Sequence, residues 1–71
     1  MDKSFYKKLG ENIKARRKQL GITQQEVADK IGKSLNFTGK IEIAFSKPSL
    51  DTLINIAKAL DTNVSDLTKG C

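Results

Sequence analysis

The sequence predicts an all-α fold, a compact bundle of five short helices, on three observations. Apolar residues recur at three- and four-residue intervals through most of the 71 positions. Thr23, Ser34 and Ser49 each stand immediately ahead of such a periodic segment, where a hydroxyl oxygen can accept from an otherwise unpaired backbone N–H of the first turn. Gly21 and Gly32 close two of the segments, and Pro48 interrupts the chain between two others.

The first helix is predicted from Phe5 to Leu20, with Phe5, Leu9, Ile13 and Leu20 apolar, Tyr6 and Ala15 beside them, and Lys7, Lys8, Lys14, Arg16 and Lys18 on other faces. It ends at Gly21. Gly10 lies within it, at a loss of roughly 1 kcal/mol of helix propensity relative to alanine. Thr23-Gln24-Gln25-Glu26 has the form of a capping box, so a second helix starts there, turns Val27, Ala28 and Ile31 inward and stops at Gly32.

Ser34 then caps a third helix running from about Leu35 to Ile43, with Phe37 and Ile41 packing and Asn36, Gly39 and Lys40 facing solvent. The short Gly32 to Ser34 interval sets these two helices steeply across each other, which makes residues 23–43 a helix-turn-helix. Phe45 to Pro48 is a loop, because Pro48 blocks a helix and pushes Lys47 towards extended backbone. Phe45 has no place in the core pattern and reads either as an exposed apolar contact or, preferred here, as folding under that loop onto a small apolar cluster. Ser49 caps a fourth helix whose inward residues are expected to be Leu50, Leu53, Ile54, Ala57 and Leu60; after the Asp61-Thr62-Asn63 corner, Ser65-Asp66-Leu67 begins a short terminal turn.

Residues 1–71 are expected to form one domain, since the chain is near the lower size limit for a single core. Its one cysteine, Cys71, excludes an internal disulfide, and the absence of histidine removes the usual ligand sets, so neither a metal nor a cofactor is expected. No apolar run approaches the ~20 residues of a membrane span. A cytoplasmic protein with no membrane partner is the expectation.

The net charge of +5 is unevenly placed. Residues 1–40 carry ten bases and four acids, residues 41–71 three bases and four acids. A basic half facing a polyanion and a merely solubilising set of lysines are both consistent with this, so charge nominates nucleic acid without selecting it.

The residues Thr23-Gln24-Gln25-Glu26-Val27-Ala28, Ile31-Gly32, Ser34, Ile41-Glu42 and Pro48-Ser49-Leu50 resemble the lambda-repressor-like, Cro-type helix-turn-helix family of phage repressors and bacterial regulators. The resemblance continues through Leu53, Ile56-Ala57-Lys58-Ala59-Leu60 and Leu67, so it spans nearly the whole chain. It implies a five-helix bundle of a kind that often dimerises through its C-terminal part and binds an operator with two related half-sites. It also implies a salt bridge between Arg17 and Glu42, joining the first and third helices. Two departures stand out: after Ile41-Glu42 the family often has Asn-Gly and a base, whose groups grip phosphate, whereas this chain has Ile43-Ala44-Phe45, and Gly39 sits inside the third helix, where it removes a reading side chain and adds flexibility.

In the docking mode of this motif the N-terminal part of the second motif helix enters the major groove, which nominates Lys33, Ser34, Leu35, Asn36 and Lys40 as base-reading residues. The Asn36 amide suits adenine N6 and N7, Lys40 suits guanine O6 or N7, and Leu35 either meets a thymine methyl or is partly buried. Asn36 and Lys40 read on periodicity alone are ordinary solvated positions; the motif spacing is what raises them. Gln24, in the first turn of the second helix, is placed to anchor phosphate, with Gln25 in a similar position. Lys14, Lys18, Ser46 and Lys47 complete the phosphate-binding set.

The leading function is therefore a homodimeric, sequence-specific transcription regulator binding double-stranded DNA. The alternative is a protein-interaction module, such as an antitoxin or anti-repressor, with weak DNA binding. An enzyme is not expected: without histidine, a nucleophile-and-base pair or a phosphate-cradling glycine loop, the common chemistries lack their parts, and Glu11, Glu26 and Glu42 read as surface, capping and ion-pair groups.

Overall fold

In the computed structural model, which describes residues 3–71, the chain folds as α1 (Lys3–Gln19), α2 (Gln24–Ile31), α3 (Leu35–Glu42), α4 (Leu50–Ala59) and α5 (Val64–Leu67), with no strand among the described residues. Of the expected 1–71 unit, Met1 and Asp2 lie outside the described residues.

The helix boundaries follow from local chemistry. Thr23 Oγ1 accepts from Glu26 N–H at 3.1 Å and Glu26 Oε1 accepts from Thr23 N–H at 3.1 Å, the reciprocal capping box that starts α2. Gly32, at φ 69°, takes the left-handed conformation that ends it. Ser34 and Ser49 accept from Phe37 N–H at 3.1 Å and Thr52 N–H at 3.2 Å, starting α3 and α4. The last helix differs from expectation. It begins at Val64, one residue before Ser65, because Asn63 is extended and its Oδ1 accepts from Asp66 N–H at 2.8 Å.

Leu9 and Ile13 of α1, Val27 and Ala28 of α2, Ile41 of α3, Leu53, Ile56 and Ala57 of α4, then Leu60 and Leu67, form the buried core, with Phe5, Tyr6, Ile22, Ile31, Phe37 and Val64 packed around it. α2 lies against α3 and α4, α1 against α3 and α5, and α4 against α5. Three residues expected to pack do not. Leu20 follows the last residue of α1 and sits in the exposed turn, while Leu50 (67% exposed) and Ile54 lie on the flank of α4. The buried stripe of α4 is Leu53, Ile56, Ala57 and Leu60, spaced three, four and seven apart. Leu50 and Ile54 are a neighbouring i, i+4 pair that no helix among the described residues covers.

Two polar side chains of α1 hold the far end of the chain. Arg16 donates from Nε to the Leu60 carbonyl at 2.9 Å and from Nη2 to that of Asp61 at 3.0 Å. Asn12 Nδ2 donates to the carbonyls of Leu67 and Lys69 at 2.9 and 2.8 Å. Carbonyls at helix ends have no partner within the helix. Here α1 supplies the donors, and a cation at the end of α4 complements the helix dipole.

Gly10 explains itself once α3 is in place. A Cβ built on it would stand 2.7 Å from the Ile41 carbonyl oxygen and closer still to that of Glu42. The backbones of α1 and α3 are in contact there, so the glycine that weakens α1 as an isolated helix permits the crossing. Gly10→Ala should therefore lower stability despite its better propensity, by about 1–3 kcal/mol from overpacking. Urea unfolding measures this, and an unchanged or higher midpoint would show that the two helices can separate at little cost.

Candidate nucleic-acid interface

α3 divides cleanly by face. Thr38 (2% exposed), Ile41 and Glu42 point inward, Phe37 is half-buried, and Leu35 and Asn36 are exposed. Helical geometry puts Leu35, Asn36, Gly39, Lys40 and, one turn beyond Gly39, Ile43 on the outward side. Thr38 had no apolar signal to mark it; its hydroxyl donates to the Ser34 carbonyl at 3.5 Å, a bond that lets a polar residue enter the core side.

Behind this face sits an ionic cluster. Glu42, whose side chain is 1% exposed, accepts from Arg17 Nε at 2.7 Å on Oε2 and from Arg17 Nη2 at 3.1 Å on Oε1. Arg17 Nη1 donates to the Ile22 carbonyl at 3.0 Å, and Gln24 Nε2 donates to Glu42 Oε1 at 3.0 Å. The Arg17 pKa is pushed up, chiefly by the hydrogen bond to Glu42, with burial acting against it. One buried carboxylate thus receives donors from α1 and α2 while standing on α3.

The remaining candidates are distributed around this centre. Ser34 is exposed but its hydroxyl caps α3. Lys33 Nζ lies 5.4 Å from the centre of the Phe37 ring. Gln25 Nε2 donates to Asp29 Oδ1 at 2.8 Å within α2, an engagement its sequence position did not disclose. Lys14 and Lys18 are exposed on α1, three residues before and one after Arg17. Lys47 is exposed with its Nζ 5.3 Å from the Tyr6 ring, and Ser46 is half-buried.

The loop after α3 departs most from what the sequence predicts. The helix ends at Glu42, and Ile43 is its C-terminal cap residue. Ala44 takes φ 62°, a left-handed conformation unusual for a residue with a Cβ, and Phe45 and Ser46 N–H groups then bond to the Lys40 carbonyl at 2.8 and 3.2 Å. Phe45 does not fold under: it is 74% exposed, as is Ile43, and its ring lies 5.5 Å from Lys40 Nζ. The ring is held outward by the turn at Ala44 and a cation–π contact instead of by burial.

Residues 13–67 match the helix-turn-helix family. The chain is 42% identical over 60 residues to YqaE, an uncharacterised HTH-type transcriptional regulator of Bacillus subtilis, covering 84% of this chain and 52% of that protein. It is 35% identical over 60 residues to the cryptic phage CTXphi transcriptional repressor RstR of Vibrio cholerae, covering 84% of this chain and 54% of the other. The chain thus spans about half the length of these curated relatives. Its fold is also similar to the crystal structure of the phage P22 c2 repressor in complex with a synthetic operator, at a TM-score of 0.80 and 33% identity, covering 89% of this chain and 96% of that one.

Two stability effects follow from the geometry. Arg17→Met leaves the Glu42 carboxylate buried without its cation and should cost about 3–5 kcal/mol, whereas Arg17→Met with Glu42→Leu should recover most of that loss. Equal destabilisation of the single and double variants in thermal melting would mean that the pair matters only as packing. Ala44→Gly should stabilise by about 1 kcal/mol, because glycine takes positive φ without steric penalty; a lowered denaturation midpoint would contradict a strained Ala44.

Proposed function

The chain belongs to the helix-turn-helix family, and from that premise we propose that it is a sequence-specific transcription regulator that binds double-stranded DNA with α3 in the major groove. The observation that carries this reading is the outward face of α3, where Leu35 and Asn36 stand exposed beside Lys40, backed by a buried three-helix ionic cluster. A reading helix must be held still, and the cluster ties α3 to α1 and α2 at its base. The operator complex of the similarly folded P22 c2 repressor supports the same docking mode here.

Asn36 is the principal base reader in this proposal, its amide free for adenine, with Lys40 directed to guanine and Leu35 to a thymine methyl. Lys33 and Ser34 enter at the N-terminal end of α3, Ser34 through its backbone surroundings since its hydroxyl is engaged in capping. Lys14, Lys18, Ser46 and Lys47 contact phosphate, positioning without specifying; Gln24 and Gln25 belong to the same flank at the first turn of α2. The regulator acts as a homodimer on a two-fold symmetric operator, with recognition helices about one DNA turn apart. The role is binding and not catalysis.

A second reading, a protein-interaction module of the antitoxin or anti-repressor type with weak DNA binding, draws on the exposed Ile43 and Phe45, which replace a phosphate-gripping loop by apolar surface.

Selection from a random duplex library separates the two. Enrichment of a two-fold symmetric site is expected, with Asn36→Ala losing ~1–3 kcal/mol of discrimination at one base pair per half-site. Lys14→Ala and Lys18→Ala should instead weaken all sequences alike and reduce the salt slope by roughly 0.9 for each phosphate that is no longer neutralised. Binding without sequence preference, or none, would favour the protein partner.

A further inference from the structure

Gly39 is the one position on the outward face of α3 without a side chain, and what occupies the space beside it is the amide of Gln24. A Cβ built on Gly39 would stand 3.6 Å from Gln24 Oε1 and 3.9 Å from Gln24 Nε2, and outside the helix itself nothing else of the described residues comes within 4 Å. Chemistry fixes which end of the amide is which: a carboxylate only accepts, so the NH2 must face Glu42 Oε1, at 3.0 Å, leaving the carbonyl oxygen beside Gly39. No donor among the described residues reaches that oxygen. Since none of the buried side-chain oxygens or nitrogens among them lacks a partner, Gln24 Oε1 is open to solvent.

From this arrangement we propose that Gln24 is a base-reading residue, whose Oε1 passes the gap at Gly39 to accept from the exocyclic amine of adenine or cytosine in the major groove. The proposal rests on α3 docking in that groove. It extends Gln24 beyond the phosphate set: one N–H of Nε2 is taken by Glu42 and the other can still donate to phosphate, whereas Oε1 only accepts, and N6 of adenine and N4 of cytosine are the groove's donors. Glu42 holds the amide rigid, so α2 supplies a preoriented acceptor through an opening in α3, level with Leu35 and between the registers of Asn36 and Ile43 on the helix. A methyl group on residue 39 would sit in van der Waals contact with Oε1, in the space a donor nitrogen needs.

The test uses the site enriched by the wild-type protein and its single-base-pair variants, with dissociation constants measured at one salt concentration for the wild type, Gln24→Ala and Gly39→Ala. Both variants are expected to lose about 5- to 150-fold discrimination at the same base pair of each half-site, while keeping the preferences set by Asn36. Gly39→Ala guards against a folding artefact, because its Cβ meets no atom closer than 3.6 Å and alanine favours the helix; its melting temperature should equal or exceed that of the wild type. If Gln24→Ala weakens every sequence equally, Gln24 is a phosphate anchor alone and the inference fails. It fails equally if Gly39→Ala leaves every preference intact. A wild type without sequence preference would overturn the groove-docking reading and this inference together.

Discussion

The buried carboxylate of Glu42 is the constraint around which the rest is arranged. An ionised group removed from water is tolerable only when its lone pairs are met, and three donors from two other helices meet them: Arg17 Nε and Nη2 from α1 and Gln24 Nε2 from α2. Such a cluster is a poor way to gain stability, since apolar residues of similar volume often serve as well. What it supplies is geometry. Hydrogen bonds have narrow distance and angle ranges, so the C-terminal end of α3 is fixed relative to both neighbours more sharply than apolar contacts alone would fix it.

That ionic tie requires close approach, and Gly10 permits it. With the carbonyls of Ile41 and Glu42 against the backbone of α1, the side chains of Arg17 and Glu42 need not stretch to meet. On the opposite side α1 acts again as the donor strip, with Arg16 and Asn12 holding the ends of α4 and α5. α1 thus serves three jobs along 17 residues: it buries Leu9 and Ile13, clamps α3 and terminates the last two helices.

Features governed by local chemistry were legible in the sequence. The capping box, the serine caps and the left-handed Gly32 are each set within four residues, and all five helices could be placed from them and from apolar spacing. Features set by which faces meet were not. Nothing in the spacing of α4 distinguishes Leu50 and Ile54 from Ile56, yet only the last is buried. Thr38 is hidden because its hydroxyl finds a carbonyl one turn back, and Arg16 and Asn12 matter only because α1 passes the far end of the chain. Asp61 takes φ 53° where glycine is usual, and the Asp61 and Thr62 N–H groups still close onto the Lys58 and Ala57 carbonyls, so no local signal announced that the Leu60 and Asp61 carbonyls would draw donors from α1.

The loop after α3 shows how a change of residue type alters what a turn can do while preserving the turn. Ala44 keeps the left-handed backbone that glycine would adopt without strain, so Phe45 and Ser46 N–H groups still close onto the Lys40 carbonyl. The N–H groups are consumed by that closure. Ile43 and Phe45 present hydrocarbon at that turn, so in the proposed docking mode affinity would come from elsewhere on the surface, from the exposed lysines of α1 and from Lys40. Lys40 is not free of the loop either, because its ammonium lies over the Phe45 ring. A cation held near an aromatic face has already lost rotamer freedom, so in the proposed docking mode Phe45 would reduce the ordering entropy that Lys40 loses on contact.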